Sequence, residues 1–406
     1  MSSQQLRAIA AREVENFRAD RIDLMPEVLR VPAADYVDQA RWEKEVRQIF
    51  RRMPLALGFT SEFREPGAFR TLEVAGVPVL MVRGDDGAMR SFVNMCSHRG
   101  NAVALEECGQ TRRFRCGYHA WSFGLRGELV SVFDQENFGP IEKADYGLTP
   151  LPTAERAGIV WVTLDPTSQL DIDVFLSGYG DMLESLGFAE THVAGRQVLK
   201  GPNWKVAYDG YRDFYHVPIL HRPTFGPDLP YQADFYYWGP HVRVTAPKNV
   251  QSLADTPVED WRVEDLTPGV WTIFPNVSIA GGRRGNLQGS GTYMFSQMFP
   301  GATPFESVTI QNFLSFDAPD AVDPEALRNF MNFMIEVVEK EDYVTGARVQ
   351  KGLATGARSH VLFGRNEGGG QHFHRWVDAL IETPDAQLDH LFKEGVQERK
   401  DAPAAR

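Results

Sequence analysis

Hydrophobic positions change their spacing along the chain, and this change divides it into segments. Residues 5–18 and 36–51 alternate apolar and charged positions at helical spacing, which predicts two N-terminal helices. In residues 77–95, two apolar runs flank a Gly-Asp-Asp-Gly turn, the pattern of a β-hairpin. Short strand-like runs separated by glycines continue to Leu164, and residues 165–168 are predicted to be an exit loop. Residues 53–165 are therefore predicted to form a small all-β module.

The rest of the chain mixes helical and strand patterns. Residues 171–186 are predicted to be helical and 192–198 to form a strand, while the aromatic section 222–316 is expected to supply sheet strands and pocket-lining loops. The longest amphipathic pattern, over residues 324–350, predicts a long helix. A glycine-rich segment at 364–370 leads into another predicted helix, and the polar tail 397–406 is expected to fray.

Composition excludes several classes of function. A chain of 406 residues has room for two to three domains. Its net charge is −12 without a basic run, which argues against a nucleic acid or an anionic membrane as partner. No apolar run approaches the roughly 20 residues that span a bilayer. The charged N-terminus lacks the apolar core of a signal peptide, so a cytoplasmic location is predicted.

All three cysteines lie within 21 residues, which points to local metal chemistry rather than disulfides. Cys96 and His98 form a Cys-x-His motif, and Cys116 and His119 a Cys-x-x-His motif. Two such loops can hold a [2Fe–2S] cluster with two thiolates on one iron and two imidazoles on the other. A Cys2His2 zinc site is the alternative. The order of the residues and the glycines that allow close loop approach favour iron–sulfur, and Cys108 fits neither motif.

A second candidate site lies in residues 203–221. His216, His221 and a carboxylate would make the three-ligand face of non-haem iron(II) oxygenases. On an ideal helix, residues five apart point roughly 140° away from each other, so a break at Pro218 is expected. Asp213 precedes His216 by three positions and can accept a hydrogen bond from the ligating ring. The alternative for Asp213 is a surface ion pair with Arg212 or Arg222.

The CSHRG motif at residues 96–100 and the CGYHAW motif at 116–121 carry a family resemblance. The chain resembles the large (α) subunit of the Rieske non-haem iron aromatic-ring-hydroxylating oxygenases, although Gly117 stands where proline is more usual. The resemblance implies an α+β fold. It further implies that a small all-β Rieske domain (53–165) is inserted into a helix-grip catalytic domain (166–406), in which an antiparallel sheet wraps around long helices. Residues 1–52 are expected to form N-terminal helices that pack with the catalytic domain.

The resemblance also assigns roles to residues. It implies that the [2Fe–2S] cluster is bound by Cys96, His98, Cys116 and His119. It implies that the mononuclear iron is bound by His216, His221 and a third, distant carboxylate. The register of an acidic pair ahead of a Val-Gln-x-Gly segment (349–352) selects Asp342, with Glu341 as the alternative and a merely charged helix face as the plainest interpretation.

Assembly follows from the same resemblance. It implies that Asp213 connects His119 of a neighbouring subunit to His216, so that electrons cross between chains in a ring, commonly a homotrimer, possibly with a small β subunit. Asp209 and Gly210 stand where relatives often carry Glu-Asn, which puts the positioning of water or O2 in question. His372 and His374 are predicted to be structural, since residues two apart do not share a helix face.

The predicted function is that of the terminal oxygenase of a multicomponent Rieske system. Electrons from NAD(P)H, delivered by a partner reductase or ferredoxin, and O2 would hydroxylate or dihydroxylate an aromatic or other hydrophobic ring. One alternative is a Rieske monooxygenase acting as an O- or N-demethylase, and another is a Rieske electron-transfer protein without oxygenase activity. The candidate pocket lining comprises residues 231–238, Phe274, Phe295, Phe299 and Phe313, and the alternative for most of them is an ordinary core position. Arg283 and Arg284 are either partners of a substrate carboxylate or solvated loop charges.

Overall fold

The computed structural model describes residues 2–283 and 291–396. The N-terminal segment contains one strand and two helices: α1 (Ser2–Ala19), β1 (Leu29–Pro32) and α2 (Gln39–Glu45). The Asp38 side chain accepts a hydrogen bond from the backbone N–H of Arg41 and so begins α2. The predicted helix over 36–51 therefore begins at residue 39, and a π-helical turn, Val46–Phe50, continues it.

Besides two 3-10 turns, Thr60–Glu62 and Lys143–Tyr146, the following module consists of short strands and one short α-helix. These are β2 (Leu55–Phe59), β3 (Ala68–Val74), β4 (Val77–Arg83), β5 (Met89–Val93), β6 (Cys108–Gln110), β7 (Phe114–Arg115), β8 (Ser122–Phe123), β9 (Leu129–Ser131), α3 (Gln135–Phe138), β10 (Pro150–Leu151), β11 (Thr153–Arg156) and β12 (Ile159–Val162). They form sheets of order β10-β5-β4-β3-β6, β11-β12-β2 and β7-β8-β9. The predicted hairpin is confirmed: β4 pairs antiparallel with β5.

The third part is built from α4 (Ile172–Leu176), α5 (Tyr179–Glu184), β13 (His192–Gly201), α6 (Trp204–Gly210), α7 (Val217–Leu220), α8 (Arg222–Phe225), β14 (Asp234–Trp238), β15 (His241–Thr245), α9 (Gln251–Ala254), β16 (Val270–Ile273), β17 (Val277–Gly282), β18 (Thr292–Pro300), β19 (Ser307–Ser315), α10 (Pro324–Ile335), α11 (Val344–Leu353), β20 (His360–Phe363), α12 (Gly368–Glu382) and α13 (Leu388–Glu394). Seven strands make one antiparallel sheet of order β13-β19-β18-β17-β16-β15-β14. β20 pairs with β1, which ties the N-terminal segment to this part of the chain.

Two predicted helices are interrupted. The predicted helix over 171–186 is two helices, because Ser177 and Gly178 adopt left-handed backbone conformations with φ of 50° and 84° between α4 and α5. The predicted helix over 324–350 is α10 and α11 joined by a π-helical segment, Glu336–Tyr343. Its wider turn rotates the side chains that follow, and such segments are frequent at functional sites.

The glycine-rich leader is part of the next helix. α12 begins at Gly368, so three glycines form its first turn. A Cβ atom added to Gly370 would lie 2.6 Å from the ring of Phe363, which a real side chain cannot do. The glycines therefore allow α12 to pack closely against β20. The predicted tail 397–406 and Arg284 lie outside the described residues.

The seven-stranded sheet separates two environments. On one face, Phe295 packs against Phe59 of the β-module with ring centroids 5.0 Å apart, and Arg196 binds Glu62 at 2.8 Å. On the other face, Met294 and Phe313 contact the apolar side of α10 and its π-helical continuation. We call this second face the ligand side, because the π-helical continuation carries Asp342, one of the candidate iron ligands. In the described parts of the chain, no helix is both long and apolar enough to cross a membrane.

Candidate metal centres

The upstream cysteines and histidines lie on two tight loops of the β-module. In the first loop, the N–H of Cys96 donates to the carbonyl of Asn101, and the N–H of Gly100 donates back to Cys96. In the second, Cys116 and Trp121 are bonded in the same way. Asn94 supports the first loop, since its side chain bonds the backbone of Val103 and Ala104. Each loop thereby presents one sulfur and one imidazole on the same side.

The four candidate ligands converge at the end of the module. Cys96 and Cys116 are free thiols, both buried, whereas His98 and His119 are half-buried with ring centroids 4.7 Å apart. His98 stacks on Trp121 at 4.8 Å, which fixes its ring plane. Burial, helped by the neighbouring His119, lowers the pKa of His98. A neutral ring is the form that binds a metal.

The sulfur atoms lie in different electrostatic environments. Burial raises the pKa of the Cys96 thiol. Burial acts in the same direction on Cys116, but the N–H of Tyr118 and the Asn101 amide donate to its sulfur, and its pKa falls below the ordinary value. The Asn101 Nδ2 to Cys116 Sγ distance is 3.7 Å. Donors aimed at a sulfur favour the thiolate, and two buried, unoxidised sulfurs beside two imidazoles fit a [2Fe–2S] cluster. Cys108 is exposed on β6, outside this group.

The downstream histidines flank a very short helix. Asn203 caps the start of α6, since its side chain accepts from the N–H of Lys205, and α6 ends at Gly210. The chain then leaves helical geometry until α7, which His216 precedes and His221 follows. The predicted break therefore lies before Pro218 and not at it. Pro218 occupies the first turn of α7, where its missing N–H is tolerated, and the Asp213 carboxylate accepts from the N–H of Tyr215 in the irregular stretch.

Three donor atoms from distant segments meet at this point. His216 Nε2 lies 3.3 Å from His221 Nε2, and the two atoms lie 3.6 and 3.2 Å from Asp342 Oδ1. We call His216, His221 and Asp342 the donor group; their donor atoms lie within 4.8 Å of one another, with the His221 side chain buried and the other two half-buried. It is therefore Asp342, and not Glu341, that faces both Nε2 atoms.

The other nitrogen of each ring faces a carboxylate. His216 Nδ1 lies 3.1 Å from Asp213 Oδ2, and His221 Nδ1 lies 2.7 Å from Glu341 Oε2. Burial alone would lower the pKa of His221, but Asp342 and Glu341 outweigh it and raise that pKa. A carboxylate at Nδ1 holds the proton there and leaves the Nε2 lone pair free.

This arrangement fits a bound metal ion. With both protons on Nδ1, two nitrogen lone pairs and a carboxylate oxygen point at one another, which is unfavourable unless a cation lies between them. Two imidazoles and one carboxylate on one face, with the other positions open, are the donor set of non-haem iron(II) oxygenases. The π-helical segment contributes here, because its turn lets the consecutive residues Glu341 and Asp342 reach opposite sides of the His221 ring.

Histidines outside this group have other partners. His372 Nε2 lies 2.7 Å from the carbonyl of Gly239, and His374 Nε2 lies 3.0 Å from Asp209 Oδ1. Tyr36 donates to the same Asp209 carboxylate at 2.8 Å. Asp209 is thus one member of a buried hydrogen-bonded cluster that joins α6, α12 and the N-terminal segment. Both histidines are structural, as expected.

For three of the four phenylalanines in the candidate pocket lining, the alternative of an ordinary core position holds. Of the four phenylalanines, only Phe313 lies in the apolar cluster on the ligand side. Phe274, Phe295 and Phe299 belong to the main core. The reason for Phe295 is the alternation of side chains along a strand: Met294 and Ser296 project to the ligand side, so Phe295 must project to the other. Arg283 binds Glu190 at 2.8 Å and covers the ring of Phe316, so it is a paired loop charge away from the donor group.

Sequence reasoning also left out residues that the site uses. The sequence predicts Glu341 only as the alternative iron ligand. In the structure, its carboxylate faces His221 Nδ1 and accepts from the Thr224 hydroxyl. Tyr211 and Tyr343 bring their hydroxyls within 3.4 Å of each other next to the ligands. Adjacency to Asp213 and Asp342 in the chain was the only available signal for these tyrosines.

Comparison with known proteins identifies two domains in the chain. Residues 53–144 match the family model of the Rieske [2Fe-2S] domain, and residues 188–383 match that of the ring hydroxylating alpha subunit (catalytic domain). The carnitine monooxygenase oxygenase subunit of Escherichia coli K12 is 28% identical over 387 residues, 91% of this chain and 97% of the relative. The biphenyl 2,3-dioxygenase alpha subunit of Rhodococcus jostii RHA1 is 31% identical over 218 residues, 52% of this chain and 47% of the relative.

Solved structures show the same fold. An apo quaternary ammonium Rieske monooxygenase superposes with a TM-score of 0.72 at 21% identity, covering 91% of this chain and 98% of that one. Naphthalene 1,2-dioxygenase from Rhodococcus sp. superposes with a TM-score of 0.71 at 21% identity, covering 95% and 100% of the two chains.

A Rieske domain followed by this catalytic domain defines an oxidoreductase of the Rieske non-haem iron class. The chain belongs to the family of ring-hydroxylating oxygenase α subunits, the terminal oxygenase components, whose cofactors are a [2Fe–2S] cluster and a mononuclear iron. The zinc interpretation of the upstream motif and the electron-carrier alternative are therefore both wrong. The predicted α+β fold class is confirmed.

Proposed function

We propose that this terminal oxygenase acts on a quaternary ammonium compound and hydroxylates a carbon bonded to the nitrogen. An alternative from the sequence is a Rieske monooxygenase acting as an O- or N-demethylase. We extend the N-demethylase to hydroxylation of any carbon bonded to the nitrogen. It is preferred over ring hydroxylation because the carnitine monooxygenase subunit matches along nearly its whole length. The observation that carries the proposal is the surplus of negative charge around the two histidines.

Three carboxylates lie at this site: Asp342 belongs to the donor group, and Asp213 and Glu341 face the Nδ1 atoms of its histidines. Their ion partners in the described chain are the two histidines alone, without a lysine or arginine within 4 Å. A ferrous ion would neutralise two of the three charges and leave one. Such a site attracts a cationic substrate and disfavours an anionic group next to the reacting carbon.

Aromatic side chains near the donor group suit the same substrate. Phe225 lies 6.0 Å from the His221 ring and 5.3 Å from Phe333, centroid to centroid, and Tyr211 and Tyr343 lie on the sheet side. Quaternary ammonium groups cannot donate hydrogen bonds and are recognised by aromatic faces.

We assign His216, His221 and Asp342 as the iron ligands and Asp213 and Glu341 as the groups that orient the imidazoles. Cys96, His98, Cys116 and His119 are assigned to the cluster. The bound iron supplies the activation of O2. The chain's own contribution is to fix the ligand geometry, hold the imidazole protons at Nδ1 and position the substrate.

Electrons are proposed to come from NAD(P)H through a separate reductase or ferredoxin and to pass between subunits of a homotrimer. His119 of one subunit would approach Asp213 and His216 of the next. Exposed apolar side chains beside both centres support a contact between them. Tyr118 next to His119 is 58% exposed, and Tyr215 and Ile219 near His216 are 58% and 79% exposed.

The overall reaction balances as a monooxygenation. Substrate C–H, O2, two electrons and two protons give C–OH and water. A hydroxyl on a carbon that bears an ammonium nitrogen then breaks the C–N bond, which releases an amine, a carbonyl compound and a proton. From a trimethylammonium substrate, oxidation of the chain carbon releases trimethylamine and an aldehyde. Oxidation of a methyl group releases formaldehyde and leaves the substrate with a dimethylamino group.

Ring dihydroxylation is the second candidate function. The similarity to the biphenyl 2,3-dioxygenase alpha subunit supports it, and so does the apolar ligand-side cluster, which includes Met294, Phe313, Phe330 and Met334. Such a lining also suits an aromatic hydrocarbon.

Product analysis separates the two candidates. The purified enzyme, with a reductase, NADH and O2, would be offered γ-butyrobetaine, glycine betaine and biphenyl in parallel. We expect trimethylamine or formaldehyde from an ammonium compound and no diol from biphenyl. A cis-dihydrodiol from biphenyl, with neither amine nor formaldehyde from the others, would overturn the proposal in favour of the second candidate.

A further inference from the structure

A row of polar side chains crosses the ligand side of the seven-stranded sheet. The register places Ser278 of β17 opposite Ser296 of β18, and Ser296 opposite Gln311 of β19. Residues directly opposite each other project to the same face of a sheet. All three side chains are fully buried. We call these three residues the polar row.

The polar row offers donors without acceptors. Gln197 Nε2 donates to the carbonyl of Met331 at 3.2 Å and to Gln311 Oε1 at 2.6 Å, which fixes the orientation of both amides. Gln311 Nε2 then points away with no hydrogen-bond partner among the described residues, and Ser278 Oγ also lacks one there. A buried donor left unpaired costs about 1–3 kcal/mol. Such groups in a native fold call for a ligand or water that accepts from them.

The polar row is continuous with the candidate iron site. Ser296 lies beside the Tyr211 hydroxyl, although without a hydrogen bond of regular geometry. Tyr211 and Tyr343 bring their hydroxyls to 3.4 Å, and Tyr343 directly follows Asp342. One layer of side chains therefore separates the row from the donor group.

The same face also has an opening to the surface. A cavity of about 260 Å³ lies at the end of β18 and β19, lined by Ser315, Leu327 and Phe330 among others. Met294 pairs with Phe313 across β18 and β19. Met294 lies two positions before Ser296 in β18, and Phe313 lies two positions after Gln311 in β19. They thus lie between the cavity and the polar row. From the cavity towards the polar row, the apolar side chains therefore come first and the hydrogen-bond donors after them.

We propose that the polar row is a substrate subsite that receives a hydrogen-bond acceptor, a carboxylate or carbonyl oxygen, at the end of the substrate remote from the oxidised carbon. This inference rests on the proposed function, which supplies the ammonium end of the substrate. The two ends of this binding site are chemically distinct. The carboxylates at the candidate iron site attract a cation and repel a carboxylate of the substrate. The polar row supplies only uncharged hydrogen-bond donors. The substrate class is then a zwitterionic ammonium compound with an acceptor oxygen, bound in one orientation.

Matched pairs of ligands test this inference on the full-length, metal-loaded enzyme. The pairs are γ-butyrobetaine with butyltrimethylammonium, and benzoate with toluene, and only the first member of each pair has acceptor oxygens. Binding is measured by ligand-induced thermal shift, and KM and kcat are measured for whichever pair is turned over. The wild type is expected to bind the acceptor-bearing member about tenfold more tightly.

The variants are Gln311→Leu and Ser278→Ala, with Ser91→Ala as control. Ser91 is likewise a buried serine whose hydroxyl has no hydrogen-bond partner among the described residues, but it lies in the β-module. Gln311→Leu should remove the preference by raising KM for the acceptor-bearing ligand alone. Its melting temperature should change little, since the substitution loses the bond that Gln311 Oε1 accepts from Gln197 but also removes the unpaired Nε2 donor. Ser278→Ala should weaken the preference, and Ser91→Ala should leave it unchanged.

The outcomes distinguish this inference from the proposed function. Equal binding of γ-butyrobetaine and butyltrimethylammonium by the wild type, or an unchanged preference in both Gln311→Leu and Ser278→Ala, would overturn the subsite while the ammonium proposal stands. Binding of benzoate alone, with a preference that Gln311→Leu removes, would support the subsite and overturn the ammonium substrate. A crystal structure of the complex in which only water occupies the polar row would also overturn the subsite.

Discussion

The two metal centres are built in opposite ways. The four cluster residues lie between positions 96 and 119, on two loops whose own backbone hydrogen bonds set their shape. The iron residues come from an irregular stretch after α6 and from a π-helical segment, and Glu341 follows His221 by 120 positions. A local site needs only its loops, whereas a distant one needs the sheet and helices to be packed first. Damage to the catalytic fold should therefore empty the iron site and spare the cluster.

Removing one ligand from each centre should give the largest effect. Cys116→Ala should lower the iron content from about three to about one per chain and remove the Rieske EPR signal, whereas His221→Ala should lose only one iron. Turnover should vanish in both, because the reaction needs both centres. Iron and sulfide analysis with EPR checks this. Cys108→Ala is the matched control, since that exposed thiol lies outside the group, and any loss of cluster there would refute the assignment.

Changing the connection between the centres should leave both of them loaded. Asp213→Asn keeps the size of the side chain that faces His216 Nδ1 but removes its charge. Product formation should fall about 10–100-fold, with the iron content and the cluster spectrum unchanged. Steady-state turnover with the partner reductase, alongside metal analysis, measures this.

Asp228→Asn, an exposed substitution outside the donor group, should behave like the wild type. Normal turnover by Asp213→Asn with its reductase would show that the proposed path between subunits is wrong.

The support behind one ligand should matter less than the ligand itself. Glu341→Gln replaces a charged acceptor at His221 Nδ1 by a neutral one, so iron affinity should fall about 10–100-fold while the cluster is retained. Timed iron loss to a ferrous chelator measures this. Glu336→Gln is the control on the same π-helical segment, where the carboxylate is exposed and pairs with Lys340. Equal rates of iron loss in the two variants would count against a role for Glu341.

The smallest effect concerns the pH dependence of the catalytic fold. Burial raises the pKa of Glu13 to about 7, although Arg243 at 3.6 Å opposes the shift. The folded state thus holds this proton more tightly than the unfolded chain, where the pKa is about 4.3. Stability should be highest below about pH 4.3 on this account and should decline by about 1–3 kcal/mol as the pH rises to 7.

Glu13→Gln should flatten that slope, as measured by denaturant unfolding between pH 5 and 8. Glu15→Gln, at an exposed position on the same helix, should keep it. Because α1 packs on the catalytic part of the chain, the cluster spectrum should be indifferent to both substitutions. A slope that persists in Glu13→Gln would place its origin elsewhere.

The spacing of motifs and the alternation of apolar positions were sufficient for much of this protein. The cluster ligands, the local loops and the β-hairpin follow from Cys-x-His, Cys-x-x-His and the hydrophobic pattern, because these features depend on neighbours in the chain. The fold class came from the family resemblance. The choice of Asp342 over Glu341 rested on a family resemblance alone. Only the packing of the π-helical segment against α7 shows that one carboxylate faces both Nε2 atoms and the other faces Nδ1.

Other features were decided by the tertiary structure. Which phenylalanines line the ligand side depends on which face of each strand turns toward α10, and a register cannot be read from composition. The polar row exists only because β17, β18 and β19 align Ser278, Ser296 and Gln311, residues far apart in the chain. The sequence by itself determined the chemistry available at each centre, and the sheet determined what each centre faces, because facing is a property of packed neighbours and not of sequence neighbours.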